Sequence, residues 1–439
     1  MENINFKRFM TNLKIIGEIG INQENGIDRL AFSDKYYEAL EKLSEIMLKE
    51  NVDVKKDRIG NISGLRNGME KNKKTIMIGS HLDTVKNGGL YDGNLGVISS
   101  LEIILSLNDN KKNLNHPIEM LAFNAEEGSE MGGTFGSRVM TGRQNLNEKG
   151  IEEKLSVYGL NIEDIKKSEK KMDDKLCFVE LHIEQGGILE KNNCSVGIVT
   201  GIVGISRYKI IVTGETNHAG TTPMNLRKDA MTGAAKLISF MNEEAFKYGE
   251  SFVATVGDMK VFPGAVNVIP GKVELLLEVR DMEQERIENF IKKIEEYAKE
   301  LINIEIELIQ TVNKPSMKMD LKLNKILEKV CQKNKIDYMF ITSGAGHDAK
   351  EFANKIPTTM IFVPSCKGIS HSPEEYTKEK DMEIGVNLFY DFILEIDKEF
   401  NDELLNLCKS ENISAAGIDS NLLSRFNKDY ELDHGTMVP

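Results

Sequence analysis

The stretch TIMIGSHLDTVKNGGLYDGNLG, Thr75 to Gly96, changes character after four residues. Thr75-Ile76-Met77-Ile78 is apolar and rich in β-branched side chains, the mark of a strand buried on both faces. From Gly79 to Gly96 the chain turns loop-like, with one histidine, two aspartates and five glycines in eighteen residues. A helical run from Gly96 to Leu107 follows. A buried strand, a glycine-rich loop and a helix in that order make half of a parallel α/β unit. Ligands in such folds gather at the carboxyl ends of the strands. His81-x-Asp83, with Asp92 eleven positions after the histidine, therefore stands where a core strand would present chemistry. Histidine and aspartate also serve as plain turn formers, so the rest of the chain decides.

Further core strands end in the same way. Ile118-Glu119-Met120-Leu121-Ala122-Phe123 leads into Asn124-Ala125-Glu126-Glu127. Phe178 to Ile183 carries His182 near its end, and TTMIFVPS, Thr358 to Ser365, reads as another core strand. Strands alternating with helices predict a three-layer α/β body with a largely parallel sheet. From about Arg207 the texture changes to alternating strands, RYKIIVTG and FVATVGDMKVF among them, with helices near Asp229–Tyr248 and Glu283–Leu301. That strand–helix–strand–strand–helix–strand order predicts a small α+β, ferredoxin-like sandwich. The expected organisation is a catalytic domain in two parts, 1–206 and 317–399, interrupted by a smaller inserted domain, 207–316. A polar tail, 400–439, follows. The N-terminus reads as an amphipathic helix rather than a secretory signal.

The 439 residues carry a net charge of −13, which argues against a nucleic-acid partner, since such proteins draw on a basic face. No apolar run is long enough to span a bilayer, so no membrane partner is expected. Five scattered cysteines include no C-x-x-C pair, which predicts reduced thiols and a cytoplasmic location.

Four stretches accumulate beside the opening one: FNAEEGSE with Glu126 and Glu127, ELHIEQGGILE with His182, TNHAGTTPM with His218, and GISHSPEE with His371. Four of the chain's seven histidines lie in these five stretches. A buried histidine is usually a hydrogen-bonded core residue; a series of potential ligands that follow strands or sit in glycine-rich loops is another matter. Two divalent ions held close together need a shared carboxylate to offset their repulsion. Mixed imidazole and carboxylate donors suit zinc, manganese, cobalt or nickel better than calcium. A further carboxylate must take the proton of the attacking water, and the adjacent Glu126 and Glu127 can divide the two jobs.

From Ile27 to Ile396 these motifs resemble, in order, the M20 family of metal-dependent amidohydrolases. The likeness is to the branch of N-carbamoyl-L-amino-acid hydrolases, allantoate amidohydrolases and β-ureidopropionases. The resemblance implies two divalent ions bridged by Asp92, one held also by His81 and His182, the other by Glu127 and His371. It implies Glu126 as general base and Asp83 as the carboxylate that orients His81. Gln185, in HIEQG, matches a contact to the ureido substrate. His218 matches a histidine contributed across a homodimer, through the inserted domain, to the neighbouring site. Asn267, in GAVNVIPG, and Arg280, in EVRD, match binders of the substrate carboxylate, and SGAGHDA, with Gly346 and His347, matches a substrate loop. Without the resemblance, Arg280 reads as a surface ion pair with Asp281 or Asp258. The implied activity is removal of the carbamoyl group from an N-carbamoyl-L-amino acid, with allantoate as the alternative substrate. A dipeptidase or aminoacylase is disfavoured by His182 and Gln185. A non-catalytic binding protein is disfavoured because Glu126 and every ligand are present. The chain departs from the branch at Glu130-Met131, where relatives carry Arg-Phe, and at Gly187, where proline is common.

Overall fold

The computed structural model describes residues 3–70, 72–249 and 251–410. Four parallel strands form the heart of a nine-stranded sheet. They lie side by side in the order Ile118–Phe123, Thr75–His81, Lys175–Ile183 and Thr358–Val363. The first, second and fourth are buried along their whole length, and Lys175–Ile183 from Cys177 onward, as befits a parallel sheet covered on both faces. Their runs of Ile, Val, Leu, Met and Phe have no polar alternation because neither face meets water.

The flanks of this sheet are mixed. Ile62–Arg66 pairs antiparallel with Ile118–Phe123, and Asp53–Lys56 pairs antiparallel with it in turn. At the other side Val196–Ile202 runs antiparallel to Thr358–Val363 and parallel to Tyr338–Ser343. The helix Asn94–Asp109 is buried almost all round. Ser99 and Ser100 return their hydroxyls to the carbonyls of Leu95 and Gly96, and Glu102 pairs with Arg8 at 2.7 Å. Gly96 permits this depth, since a Cβ there would stand 2.3 Å from the Leu181 carbonyl oxygen. The N-terminal helix, Phe6–Gly17, buries Phe9, Leu13 and Ile16 along one face, the period expected of an amphipathic helix.

A second sheet has the strand order Glu305–Lys314, Gly204–Thr213, Lys272–Asp281, Val253–Phe262, antiparallel throughout. Helices Ala230–Ala245 and Gln284–Glu300 cover one of its faces and share a separate core with it, built from Ile210, Val212, Leu275, Leu277, Phe290 and their neighbours. The fold is thus α/β, a mostly parallel central sheet with a smaller ferredoxin-like unit inserted in the chain. The last described helix, Glu379–Ser410, runs through the start of the expected polar tail, and the rest of that tail lies outside the described residues. Among the described residues no helix is long and apolar enough to cross a membrane.

Candidate metal centre

All four central strands deliver polar residues at their carboxyl ends. His81 closes the strand Thr75–His81, in register with Phe123, beyond which lie Glu126 and Glu127. His182 stands opposite Phe362 near the ends of the next pair, and the segment after Val363 leads to His371. Strand register alone therefore converges residues from distant parts of the chain on one edge of the sheet.

Asp92 sits at the middle. Its Oδ1 lies 3.1 Å from His182 Nε2 and 3.4 Å from His81 Nε2, and its Oδ2 lies 3.1 Å from His371 Nε2. Glu127 Oε1 is 3.4 Å from that same His371 nitrogen. Two sets of donor atoms result, His81–Asp92–His182 and Asp92–Glu127–His371, each with its atoms within 4.8 Å of one another. Donor atoms of Glu126, Glu127 and His81 also lie within 4.8 Å of one another.

The tautomers are set by neighbouring carbonyls. His81 Nδ1 donates to the Asp83 carbonyl at 2.9 Å, and His182 Nδ1 to the Ile183 carbonyl at 2.8 Å. With the proton on Nδ1, both Nε2 lone pairs point at the Asp92 carboxylate, and the two Nε2 atoms are 3.5 Å apart. Asp92 Oδ1 and Glu127 Oε1 are buried and accept no hydrogen bond. Lone pairs facing lone pairs in a buried place are costly unless a cation lies among them. The donor set, three imidazoles and two carboxylates, fits a divalent transition ion. Hydrogen bonding from Asp92 and Glu127 pushes the half-exposed His371 up to about 10, the mark of a cradle short of positive charge.

The surrounding shell is built from the backbone. Glu375 Oε1 accepts the N–H groups of Tyr91 and Asp92 at 2.9 and 3.0 Å, and its Oε2 accepts from Ser370. Gly93 takes φ +65, and a Cβ there would stand 2.4 Å from the His81 ring, so only glycine lets Asp92 and His81 approach. Ala125, Gln185 and His371 all take positive φ, at 58, 59 and 56°. Such strain in non-glycine residues gathers at functional sites.

Asp83 departs from the expectation in one respect. Its carboxylate stands 3.9 Å from His81 Nδ1, and the ring bonds to its carbonyl instead. The carboxylate oxygens accept the backbone N–H groups of Glu126 and Glu127, each at 3.1 Å. Asp83 thus orients His81 through the main chain and the glutamate pair through its side chain. Burial raises the Glu126 carboxyl well above its usual range, and Glu127 and Asp348 push the same way.

The expected substrate contacts fall in two places. Gln185 belongs to the cradle: Nε2 donates to Asp92 Oδ2 at 2.9 Å, and Oε1 is buried without a partner. His347 is buried against His182, with ring centroids 4.5 Å apart, and its Nε2 is 2.8 Å from Ser343 Oγ; Gly346 beside it is exposed. His218 and Asn267 come together elsewhere, on the short ladder of the inserted unit where Val268 faces His218 and Ala219 bonds to the Asn267 carbonyl. Both are exposed, and among the described residues no contact joins His218 to the cradle of its own chain. Arg280 pairs with Glu278 at 2.7 Å, not with Asp281 or Asp258, and Nη1 donates to the Gly344 carbonyl of the SGAGHDA loop.

Sequence reasoning passed over Glu180 and Glu375. Glu180 is fully buried and accepts from Ser80 Oγ at 2.7 Å and the Ala349 N–H at 2.9 Å, tying the strand of His81 to the loop of His347. A signal existed: Glu180 lies two positions before His182, on the same strand face. Glu375 had none beyond its place in HSPEE.

A family model for the peptidase family M20/M25/M40 matches residues 77–395. The N-carbamoyl-L-amino-acid amidohydrolase of Pseudomonas sp. (strain NS671) is 37% identical over 406 residues, 89% of this chain and 98% of its own. The allantoate amidohydrolase of Escherichia coli is 33% identical over 384 residues, 84% of this chain and 93% of its own. A crystal structure of an amidase of the hydantoinase/carbamoylase family from Burkholderia multivorans matches with a TM-score of 0.80 and 30% identity, covering 89% of this chain and 97% of that one. With the strand ends, the buried donor set and these relatives in agreement, the chain belongs to the M20/M25/M40 peptidase family, as a hydrolase of its amidohydrolase branch.

Proposed function

We propose that the protein removes the carbamoyl group of N-carbamoyl-L-amino acids, giving the amino acid, carbon dioxide and ammonia. The observation that carries this reading is Asp92, a buried carboxylate that faces two histidines with one oxygen and a third with the other. One ion would be held by His81, Asp92 and His182, and a second by Asp92, Glu127 and His371. When bound, such ions polarise the ureido carbonyl and make water a nucleophile near neutral pH.

The chain's own residues supply the rest. Glu126 takes the proton of the attacking water and returns it to the leaving nitrogen, work suited to a carboxyl whose pKa burial has raised. Gln185, fixed through Nε2, offers its unpartnered Oε1 to a ureido N–H. Arg280 holds the substrate carboxylate, for which the planar guanidinium fork is well shaped, and Asn267, on the same ladder as His218, joins it from a second copy of the chain. His218 steadies the oxyanion from a second copy of the chain, which agrees with its exposure. Gly346 and His347 close the substrate loop.

Ammonia release from a panel of N-carbamoyl-L-amino acids and from allantoate, with manganese, zinc, cobalt or nickel added to metal-stripped protein, tests the reading. The expected result is turnover of the N-carbamoyl-L-amino acids ahead of allantoate. Preference for allantoate would move the protein to the other named activity of its relatives. No ammonia from any ureido substrate would sink both.

A further inference from the structure

The guanidinium of Arg280 already holds a carboxylate. Its Nε and Nη2 both face Glu278 Oε1, at 2.8 and 2.7 Å. The other oxygen, Glu278 Oε2, accepts from Arg207 Nε at 2.6 Å. Glu278 and Arg280 are two apart on one strand and share its outward face, since Leu277 and Val279 point into the helix-covered core. Arg207 is the cross-strand neighbour of Glu278. Two guanidiniums therefore share one carboxylate, and these three groups together carry one net positive charge. Arg280 also spans the gap to the SGAGHDA loop through the Gly344 carbonyl, so the patch borders the substrate loop.

We propose that Glu278 is an internal stand-in for the substrate carboxylate, occupying the Arg280 fork in the free enzyme and yielding it when substrate binds. The proposal rests on the reading of Arg280 as the carboxylate grip. Arg207 makes the exchange inexpensive: when Arg280 turns to substrate, Glu278 keeps its second oxygen paired, and no carboxylate is left alone. The incoming carboxylate brings the patch to two charges of each sign. Burial works against the charge on Glu278, yet the two arginines hold its pKa below the usual range, so the competitor is ionised wherever the substrate is. Glu278 is in this sense a specificity-setting residue that acts through Arg280 and touches no reacting atom.

The test is steady-state ammonia release by the metal-loaded enzyme, on an N-carbamoyl amino acid and on its uncharged carboxamide counterpart. Glu278→Gln removes the competing charge at nearly constant shape. Its KM for the carboxylate substrate is expected to fall roughly two- to fivefold, the scale of a partly exposed ion pair. kcat and the KM for the carboxamide should stay close to wild type, whereas a general disturbance of the site would move both. Glu278→Asp keeps the charge beside Arg207 with a shorter reach and should fall between the two; it carries the test alone if Glu278→Gln does not fold. Arg280→Gln separates the two levels of the argument. If it raises the KM while the Glu278 variants leave it unchanged or raise it, the exchange is overturned and the grip stands. If Arg280→Gln leaves the KM unchanged, the grip fails and the exchange with it.

Discussion

Asp83 divides its labour between two kinds of atom, and Glu126 owes its freedom to that division. Because the Asp83 carboxylate takes the backbone N–H groups of Glu126 and Glu127, the glutamate side chains are left to face the cradle. Glu126→Gln keeps that backbone clamp and changes only the proton-carrying atom. The variant should therefore retain its metal, measured by mass spectrometry after desalting, while kcat falls by about 10²–10⁴ or more. A variant with near wild-type kcat would strip Glu126 of the proposed role. The glutamate pair was legible in FNAEEGSE, and so were His81, which closes the strand begun at Thr75, and Asp92 in the loop after it. The task of the Asp83 side chain was not, because His-x-Asp spacing allows either the carbonyl or the carboxylate to reach the ring, and the backbone at Leu82 decides. The partner of Arg280 was within reach of simple alternation: Glu278 lies two residues away on the same strand face, whereas the neighbouring Asp281 points the other way, buried, toward Arg286 at 3.5 Å.

Strands are held to the body by elements far away in sequence, and the helix Glu379–Ser410 gives the clearest case. Its Asp397 accepts the N–H groups of Asn115 and His116, at 3.1 and 2.8 Å, just before the strand Ile118–Phe123 begins, and the His116 ring lies at 2.9 Å. Burial alone would raise the Asp397 carboxyl, but the His116 ring and the two N–H groups outweigh it and hold the pKa below its ordinary value. A carboxyl depressed in the folded state stabilises fully above its unfolded pKa, about 3.9. That contribution is lost as pH falls through the lower, folded value. Asp397→Asn should thus cost roughly 1.5–3 kcal/mol in urea melts at pH 7, the range for hydrogen bonds to a charged group. The gap to wild type should close as pH drops below about 4; a gap that stays constant would mean that the charge plays no part. At this scale the buried strands were plain from their unbroken apolar runs. Their order in the sheet was not, since nothing local tells Val196–Ile202 to lie antiparallel to Thr358–Val363 yet parallel to Tyr338–Ser343.

For the molecule as a whole, the exposure of His218 on the hairpin of the inserted unit is the main organisational fact, and a second copy is proposed to meet it. His218→Ala and Glu126→Gln homodimers should each be nearly inactive. After subunit exchange, a mixed dimer would hold one site with both residues intact. Random pairing at equal proportions makes about half the dimers mixed, so roughly a quarter of wild-type activity should return, a figure that follows from two-fold symmetry. Exchange proven by tagged subunits without recovered activity would return His218 to a role within its own chain. The ferredoxin-like unit was legible as a unit from its strand and helix order; which surface its His218 hairpin meets was not, because an exposed loop carries no periodic signal of a partner. The anchor on Asp92 has a bearing on how the enzyme is made. Glu375, which holds the Asp92 amide in place, lies 283 residues downstream. A growing chain therefore leaves the ribosome with His81, Asp92 and His182 long before the residue that locks the central aspartate exists. Products that stop short of Glu375 are born without a finished centre, and hydrolysis waits for that residue to be made.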